Sequence, residues 1–310
     1  NHFSNYNQTS PSFSSLVTGK TVLHHRVFQH GGLIPKDQTH ENIFKYTKKL
    51  GYKNILYTHV LNSEAIFRQF QESFYQIKPS HELRAYSEHL WEIFIDTPYL
   101  RFGKELGKFK PKSSFIDAIY LRITKDSGFQ EQYTAPTMYV NELVHEWFYE
   151  IIRKERGPKL IFLHLFPPHD PFNYRRDFEK KFLSTPIPLL KHPTKPTSKI
   201  ASVPSEKLSE AEVSRAQLEY DRLLYDTDQK FGKFMEELRK TEFFDSSLII
   251  FTSDHGMQFG NGFSGHGNML YNEKIKVPLI IKFPGQKQGE VLNQPTSSLD
   301  IAPSLLSYLN

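Results

Sequence analysis

Two hydrophobic rhythms alternate along the chain. Val140, Leu143, Val144, Trp147, Phe148, Ile151 and Ile152 fall at the i, i+3, i+4, i+7 spacing of one buried helix face. Gly157 and Pro158 end that helix, and Lys159 to Leu165 (KLIFLHL) follows as an unbroken apolar run, the pattern of a buried strand. The same succession recurs. Glu41 to Leu50 predicts a helix closed by Gly51, and Lys53 to Val60 a strand. Ser209 with Glu212 predicts a capping box. The helix behind it carries Tyr220, Leu223, Leu224, Phe231, Phe234 and Leu238 on one face to about Lys240. Residues 248–253 and Val277 to Phe283 predict further strands, the first a buried parallel one and the second closed by Pro284 and Gly285. Asp300 is placed to cap a last short helix with Pro303 in its first turn. Near the start, Thr9 and Ser10 before Pro11 predict a helix behind a hydroxyl cap. Helix alternating with strand implies a mainly parallel sheet covered on both faces. Two stretches lack either rhythm. Residues 61–135 read as helices and loops covering the sheet. Arg175 to about Leu208, rich in Lys, Pro, Ser and Thr, reads as a mobile surface excursion or lid.

Composition acts mainly by exclusion. With 310 residues and 38% hydrophobic content, the chain can bury a full core, as one large α/β domain or two average ones. Its net charge of +5 comes from scattered basic residues, which is no nucleic-acid footprint and suits an anionic substrate better. The absence of cysteine removes disulfides, thiolate metal sites and Cys nucleophiles together. No apolar run approaches a membrane span. The sequence opens at Asn1 without a Met or signal peptide, so a fragment is expected, with its targeting segment elsewhere.

The candidate chemistry gathers where strands end. Beyond the apolar run of residues 248–251, the chain reads Thr252-Ser253-Asp254-His255-Gly256, and His266 returns between two glycines. Ligands of open α/β sheets bind beyond the carboxyl ends of the strands. Asp and neutral His are common ligands of zinc- or manganese-type ions. Read alone, the same residues also make a turn with a capping Asp and two surface histidines. The strand at Lys159 to Leu165 ends in Phe166-Pro-Pro-His-Asp-Pro-Phe, a second His–Asp site. His164, inside the strand, reads as a hydrogen-bonded core histidine; His169, on the proline-stiffened loop, is the better ligand candidate. A helix N-terminus near Thr9 would aim free N–H groups and a positive dipole end at a bound anion.

Taken in order, these landmarks resemble a family. Thr9-Ser-Pro-Ser-Phe-Ser-Ser-Leu-Val-Thr-Gly, Leu50-Gly51-Tyr52, Pro168-His169-Asp170-Pro171-Phe172, Asp228-x-x-Phe-Gly232, Thr252-Ser-Asp-His-Gly, Gly265-His266-Gly267, Tyr271 to Ile281 and Ser298-Leu-Asp-Ile-Ala-Pro-Ser-Leu-Leu are similar to a sulfatase-like domain of the alkaline phosphatase superfamily. The likeness spans nearly the whole chain. It implies a three-layer α/β/α sandwich with a divalent metal ion (Zn, Mn or Ca) at the strand ends and a covalent intermediate on the nucleophile. Carried over residue by residue, it gives Asp254 and His255 as metal ligands and Thr9 as the nucleophile bridging metal and phosphorus. His266 and His169 would contact the transferred group or a second metal. It also implies an exported or membrane-associated protein acting on an anionic ester, lipid- or glycan-linked.

Three departures shape the functional expectation. Sulfatases oxidise a Cys or Ser to formylglycine at the position of Thr9 and carry Arg four residues on, where this chain has Phe13. Shifting the frame to Ser10 puts Ser14 in the Arg position. Thr is the nucleophile in the superfamily's phosphodiesterases, phosphoethanolamine transferases and lipoteichoic acid synthases. The family's upstream acidic ligand on a first strand and its small C-terminal subdomain are not found, so a truncated single domain over 1–310 with a weakened metal site is expected. Three readings compete: a Thr-dependent phosphoester hydrolase or phospho-group transferase, a sulfate ester hydrolase, and a non-catalytic binding domain.

Overall fold

The structure, a computed structural model, describes residues 1–58, 61–78, 141–169, 209–260, 265–267 and 269–309. Its centre is β2 (Lys53–Thr58), flanked in parallel by β3 (Gln76–Lys78) and β4 (Lys159–His164) in the order β3-β2-β4. The register pairs Lys53 with Lys159 and Thr58 with His164. β2 is buried on both faces, so its apolar run is continuous rather than alternating. Leu56 faces one layer, made by α1 (Thr9–Thr18), α3 (Ile43–Lys49), α4 (Leu61–Arg68) and α9 (Ile301–Leu309). Ile55 and Tyr57 face the other, where Val144, Trp147 and Ile151 of α5 (Asn141–Lys154) pack. Helices on both faces of a parallel sheet are the layered architecture that the sequence predicts, and the fold is the α/β fold of the alkaline phosphatase and sulfatase type.

Most predicted elements lie where the pattern put them. Asn42 caps α3, whose end passes into Gly51 at φ 83°. Ser209 and Glu212 form the reciprocal capping box that opens α6 (Glu210–Arg239). Two polar side chains then register helix on sheet: Asn54 Oδ1 accepts from Thr47 Oγ1 at 2.6 Å, and Asn54 Nδ2 donates to the Ser73 carbonyl at 2.8 Å.

Several expectations are corrected. β5 (Ile249–Thr252) is not a buried parallel strand; it pairs antiparallel with β7 (Leu279–Lys282), and Phe251 is 37% exposed. A short apolar run carries no information on strand direction. Pro278, which has no N–H to give a ladder, separates β6 (Lys276–Val277) from β7. A short strand does precede Thr9: β1 (His2–Phe3) lies between β6, antiparallel, and β8 (Thr296–Ser297), parallel, and carries no acid. Residues 61–78 hold a strand, β3, and not only helices and loops. Gln8, in extended conformation, is the N-cap of α1, and Thr9 is its first helical residue. Ser10 cannot cap the helix because its hydroxyl accepts from the Gly31 N–H at 2.9 Å. The last helix is capped by Ser297, with Asp300 returning its carboxylate to the Ser297 N–H at 2.7 Å. The excursion at 175–208, and residues 79–135 of the patternless stretch, lie outside the described residues.

Candidate functional site

Three loops meet beyond the carboxyl ends of β4 and β5. From β4 comes Leu165 to His169, turned by a cis peptide between Pro167 and Pro168 and by the His169 N–H on the Phe166 carbonyl at 2.9 Å. After β5 the chain turns through Ser253, Asp254 and His255, with Ser253 Oγ donating to the His255 carbonyl at 2.7 Å. His266 stands on the third loop, entered through the pairing of Gln258 with Gly265.

Their imidazoles converge. The ring of His266 lies 4.6 Å from that of His255 and 4.9 Å from that of His169, and the His169 and His255 rings are 6.3 Å apart. Asp254 Oδ2 lies 3.5 Å from His255 Nε2. Burial would raise the Asp254 carboxyl, but the imidazoles of His255, His164 and His169 and the His255 N–H together hold it below the ordinary carboxylate value. His266 is pushed down to about 3, first by burial and then by the neighbouring imidazoles of His255 and His169. His164 is a core histidine as read: its Nδ1 meets Thr58 Oγ1 at 2.8 Å and Ser63 Oγ at 3.0 Å. Burial lowers it to about 4, while the Asp254 charge acts in the opposite sense, so this core group also borders the site electrostatically.

Thr9 opens α1, whose approach is bonded to two of these loops. It is 3% exposed, not the exposed cap that the sequence implies. Asn7, just ahead of it, accepts from the Gly267 N–H at 3.0 Å and donates from Nδ2 to the Met269 carbonyl at 2.7 Å, which ties the start of α1 to the His266 loop. Ser4 Oγ donates to the Asp254 carbonyl. Glycine is required twice. A Cβ on Gly256 would sit 2.3 Å from the Glu273 carbonyl oxygen. Gly267 has φ +84° and would put a Cβ 2.9 Å from Gln8 Nε2.

The hydroxyls of α1 divide into used and unused. Ser10 accepts from Gly31, Ser12 donates to the Tyr6 carbonyl, Ser15 bonds His25, and Thr18 donates to the Ser14 carbonyl. Among the described residues, Thr9 Oγ1 makes no hydrogen bond, and Ser14 Oγ is buried without a partner. His30 is the residue that sequence reading missed. It lies on the loop after α2 (Val22–His25) with much of its surface open, and the partial desolvation of its ring by nearby protein, with the charges of His169 and His255, lowers it. Nothing in its polar, glycine-flanked context marks it beforehand.

The donor chemistry fits a divalent cation. His255 Nδ1 lies 2.9 Å from the Gly256 carbonyl, which can only accept, so Nδ1 carries the hydrogen and the Nε2 lone pair is free. That nitrogen is buried without a hydrogen-bond partner and faces a carboxylate oxygen, a repulsive pairing unless a proton or cation intervenes. His266 Nδ1 is likewise buried and unpartnered. Among the described residues, no three His, Asp or Glu side chains gather at the spacing that holds an ion.

Comparison with known proteins identifies the family. The Sulfatase family model matches residues 1–310. The multifunctional alkaline phosphatase superfamily protein PehA of Trinickia caryophylli is 24% identical over 359 residues, covering 100% of this chain and 65% of its own length. Choline-sulfatase of Rhizobium meliloti is 29% identical over 177 residues, 53% of this chain and 34% of that protein. In structure, the phosphonate monoester hydrolase SpPMH of Silicibacter pomeroyi superposes with a TM-score of 0.65 at 20% identity, over 99% of this chain and 65% of that one. The chain thus spans about two thirds or less of the length of these relatives. With the family model matched from end to end and three histidines and an aspartate gathered at the strand ends, the chain belongs to the sulfatase family of the alkaline phosphatase superfamily.

Proposed function

We propose that the chain is the catalytic domain of a metal-dependent phosphoester hydrolase or phospho-group transferase in which Thr9 is the nucleophile. The observation that carries this reading is the unengaged Thr9 hydroxyl at the first residue of α1, a helix whose hydroxyls at Ser10, Ser12, Ser15 and Thr18 are bonded elsewhere and whose other unpartnered hydroxyl, at Ser14, is buried more than a turn further in. The same fact disfavours a frame shifted to Ser10. Asp254 and His255 would hold a divalent ion with Thr9, and that ion would lower the hydroxyl's pKa and orient it. Zn and Mn suit the mixed nitrogen and oxygen donors of His255, Asp254 and Thr9, whereas Ca takes oxygen ligands and suits His255 least.

The chain's own residues supply the rest. Thr9 Oγ forms a bond to phosphorus as the bond to the leaving oxygen breaks, and the hydroxyl proton passes to solvent water. The free N–H groups at the start of α1 face the charge that builds on the phosphoryl oxygens. In this reading His169 and His266 bond those oxygens as N–H donors, and the proton for the departing alkoxide comes from His169 or water rather than from His266, which burial keeps neutral. Water, or an acceptor alcohol, then releases the phosphoryl group from Thr9. Threonine carries a methyl on its hydroxyl carbon and cannot become the formylglycine aldehyde that sulfate ester hydrolysis uses. SpPMH, a phosphonate monoester hydrolase of like fold, is consistent with chemistry at phosphorus.

Choline-sulfatase among the relatives motivates the sulfate ester alternative. The absence of a three-ligand cluster among the described residues motivates the non-catalytic one. One assay separates all three. The protein is offered bis(p-nitrophenyl) phosphate, p-nitrophenyl sulfate and phosphatidylethanolamine with Mn²⁺ or Zn²⁺, and wild type is compared with Thr9→Ala. We expect phosphoester turnover that falls by roughly 10³-fold or more in Thr9→Ala, as for other lost nucleophiles. Sulfate turnover alone, unchanged in Thr9→Ala, would sink both the reaction class and the nucleophile. No turnover of any ester would leave the binding reading.

A further inference from the structure

The proposed site stands on three loops, the last two joined by the single bridge of Gln258 with Gly265: the approach to Thr9, the turn through Asp254 and His255, and the glycine loop of His266. One short helix, α8 (Asn272–Ile275), touches them all. The Gly256 N–H, just beyond His255, donates to the Lys274 carbonyl at 2.7 Å. Lys274 Nζ donates to the Gly267 carbonyl, just beyond His266, at 3.0 Å. Gly267 passes the connection on, since its N–H donates to the Asn7 carbonyl at 3.0 Å, two residues ahead of Thr9. The next residue of α8 takes part as well: the Ile275 carbonyl accepts from the Ser4 N–H at 2.7 Å, and Ser4 Oγ reaches the Asp254 carbonyl.

Lys274 is fully buried, at 0% exposure. Burying an ammonium is costly unless it is hydrogen-bonded, and an apolar side chain of that length would fill the space without the cost. Among the described residues the amine gains an acceptor on the His266 loop, and it also stands 5.6 Å from the centre of the Tyr271 ring. The contact on the His255 side is tight enough to transmit position, because Gly256 has no room for a Cβ against the Glu273 backbone.

We propose that Lys274 is the positioning residue of this site: its backbone holds the Asp254–His255 turn, and its side chain clamps the His266 loop to that turn and, through Gly267, to the start of α1. The proposal rests on the reading above that these loops carry the reacting groups. Lys274 touches no substrate; it acts by fixing where His266 and His255 stand relative to Thr9.

The test compares wild type with Lys274→Met, which fills the volume without donor or charge, and with Lys274→Arg, which keeps both. Histidine Cε1–H resonances are followed in protein carrying ¹³C-labelled histidine, alongside kcat and KM for bis(p-nitrophenyl) phosphate. We expect Lys274→Met to move the His266 and His255 resonances and to leave that of His25, on α2. We also expect kcat to fall by about 10- to 100-fold, as when a supporting shell is lost, with KM changed by less than about threefold and part of kcat recovered in Lys274→Arg. Unmoved His266 and His255 resonances in folded Lys274→Met would overturn the clamp whatever the activity. A wild type that turns over no ester, but whose His266 resonance still moves in Lys274→Met, sinks the functional reading and leaves the clamp. If Lys274→Met does not fold, hydrogen exchange of the wild type decides. Gly256 and Gly267 amides that open within about tenfold of each other support one frame, and a wider gap overturns it.

Discussion

Phe13 stands where the family resemblance expects an arginine, and its ring is committed to the core. It lies edge-on to Phe67 and Phe162 at 5.7 and 5.9 Å and tilted over His164 at 4.3 Å. From that place it cannot present a cation to a substrate, and it closes the floor behind His164 with an apolar face. Phe13→Ala should cost about 3–5 kcal/mol, the range for large-to-small changes in a packed core. Urea unfolding measures it, and a loss below about 1 kcal/mol would show that the ring is not part of the core. Phe13→Arg should not create sulfatase activity, because an unpaired guanidinium buried against Phe67 and Phe162 disrupts the fold before it reaches a ligand. The sequence shows this departure plainly; only the packing shows what the phenyl ring does. The same holds for Thr9: its place in the motif is legible, whereas the engagement of its four hydroxyl neighbours is not.

At the level of elements, α1 is held in place by α2. His25 Nδ1 accepts from the Val27 N–H at 3.1 Å, so its Nε2 carries the hydrogen and donates to Ser15 Oγ at 2.9 Å, which in turn accepts from Asn5 Nδ2 at 2.8 Å. This chain of bonds exists only for the neutral imidazole. Burial, with His24 and Lys20 adding to it, lowers His25 to about 4 from 6.5. Above pH 6.5 both folded and unfolded states hold it neutral, and stability does not depend on it. As pH falls from 6.5 towards 4, the unfolded chain takes up a proton that the folded state refuses, and stability is lost. The loss levels off below about 4 at roughly 3 kcal/mol, at about 1.4 kcal/mol per pH unit. His164 is lowered to about 4 as well, so the two titrate in one window and the comparison must be with a variant. His25→Phe should be less stable than wild type at pH 7, where Val27 N–H and Ser15 lose their partner, and the gap should narrow by pH 4. A gap that stays constant in denaturant melts across that range would remove His25 from the account.

At the scale of the whole molecule, the two ends of the chain close on each other. β1 pairs with β8 through His2 with Thr296 and Phe3 with Ser297, and the Thr296 N–H donates to the Asn1 carbonyl at 2.9 Å. Ile301 and Ala302 of α9 share a core cluster with Phe13 and Val17 of α1. The helix that opens with Thr9 therefore rests on residues nearly three hundred positions away. A chain ended at residue 295 should lose its near-ultraviolet dichroism and bind a hydrophobic dye, as expected when specific packing is lost. A cooperative melt retained after that cut would show that α1 is supported without β8 and α9. No described helix is long and apolar enough to cross a membrane.

Period and punctuation determined the elements. The 3.6-residue rhythm of α5, the capping box of α6 and the two-sided apolar run of β2 act within a few residues, so one sequence suffices to place them. The same local chemistry put Asp254, His255 and His169 at strand ends and ordered the family's landmarks. Partnership across the chain was decided only in three dimensions. Strand direction at β5, the β1–β6–β8 sheet, the use of Ser10 by Gly31 and of Asn7 by Gly267 all depend on a second residue far along the chain. Hydrogen bonds and burial are pairwise, and a sequence lists the members without the pairs. That is why the histidines could be named from the sequence, while the free hydroxyl of Thr9 and the buried amine of Lys274 became visible only in the fold.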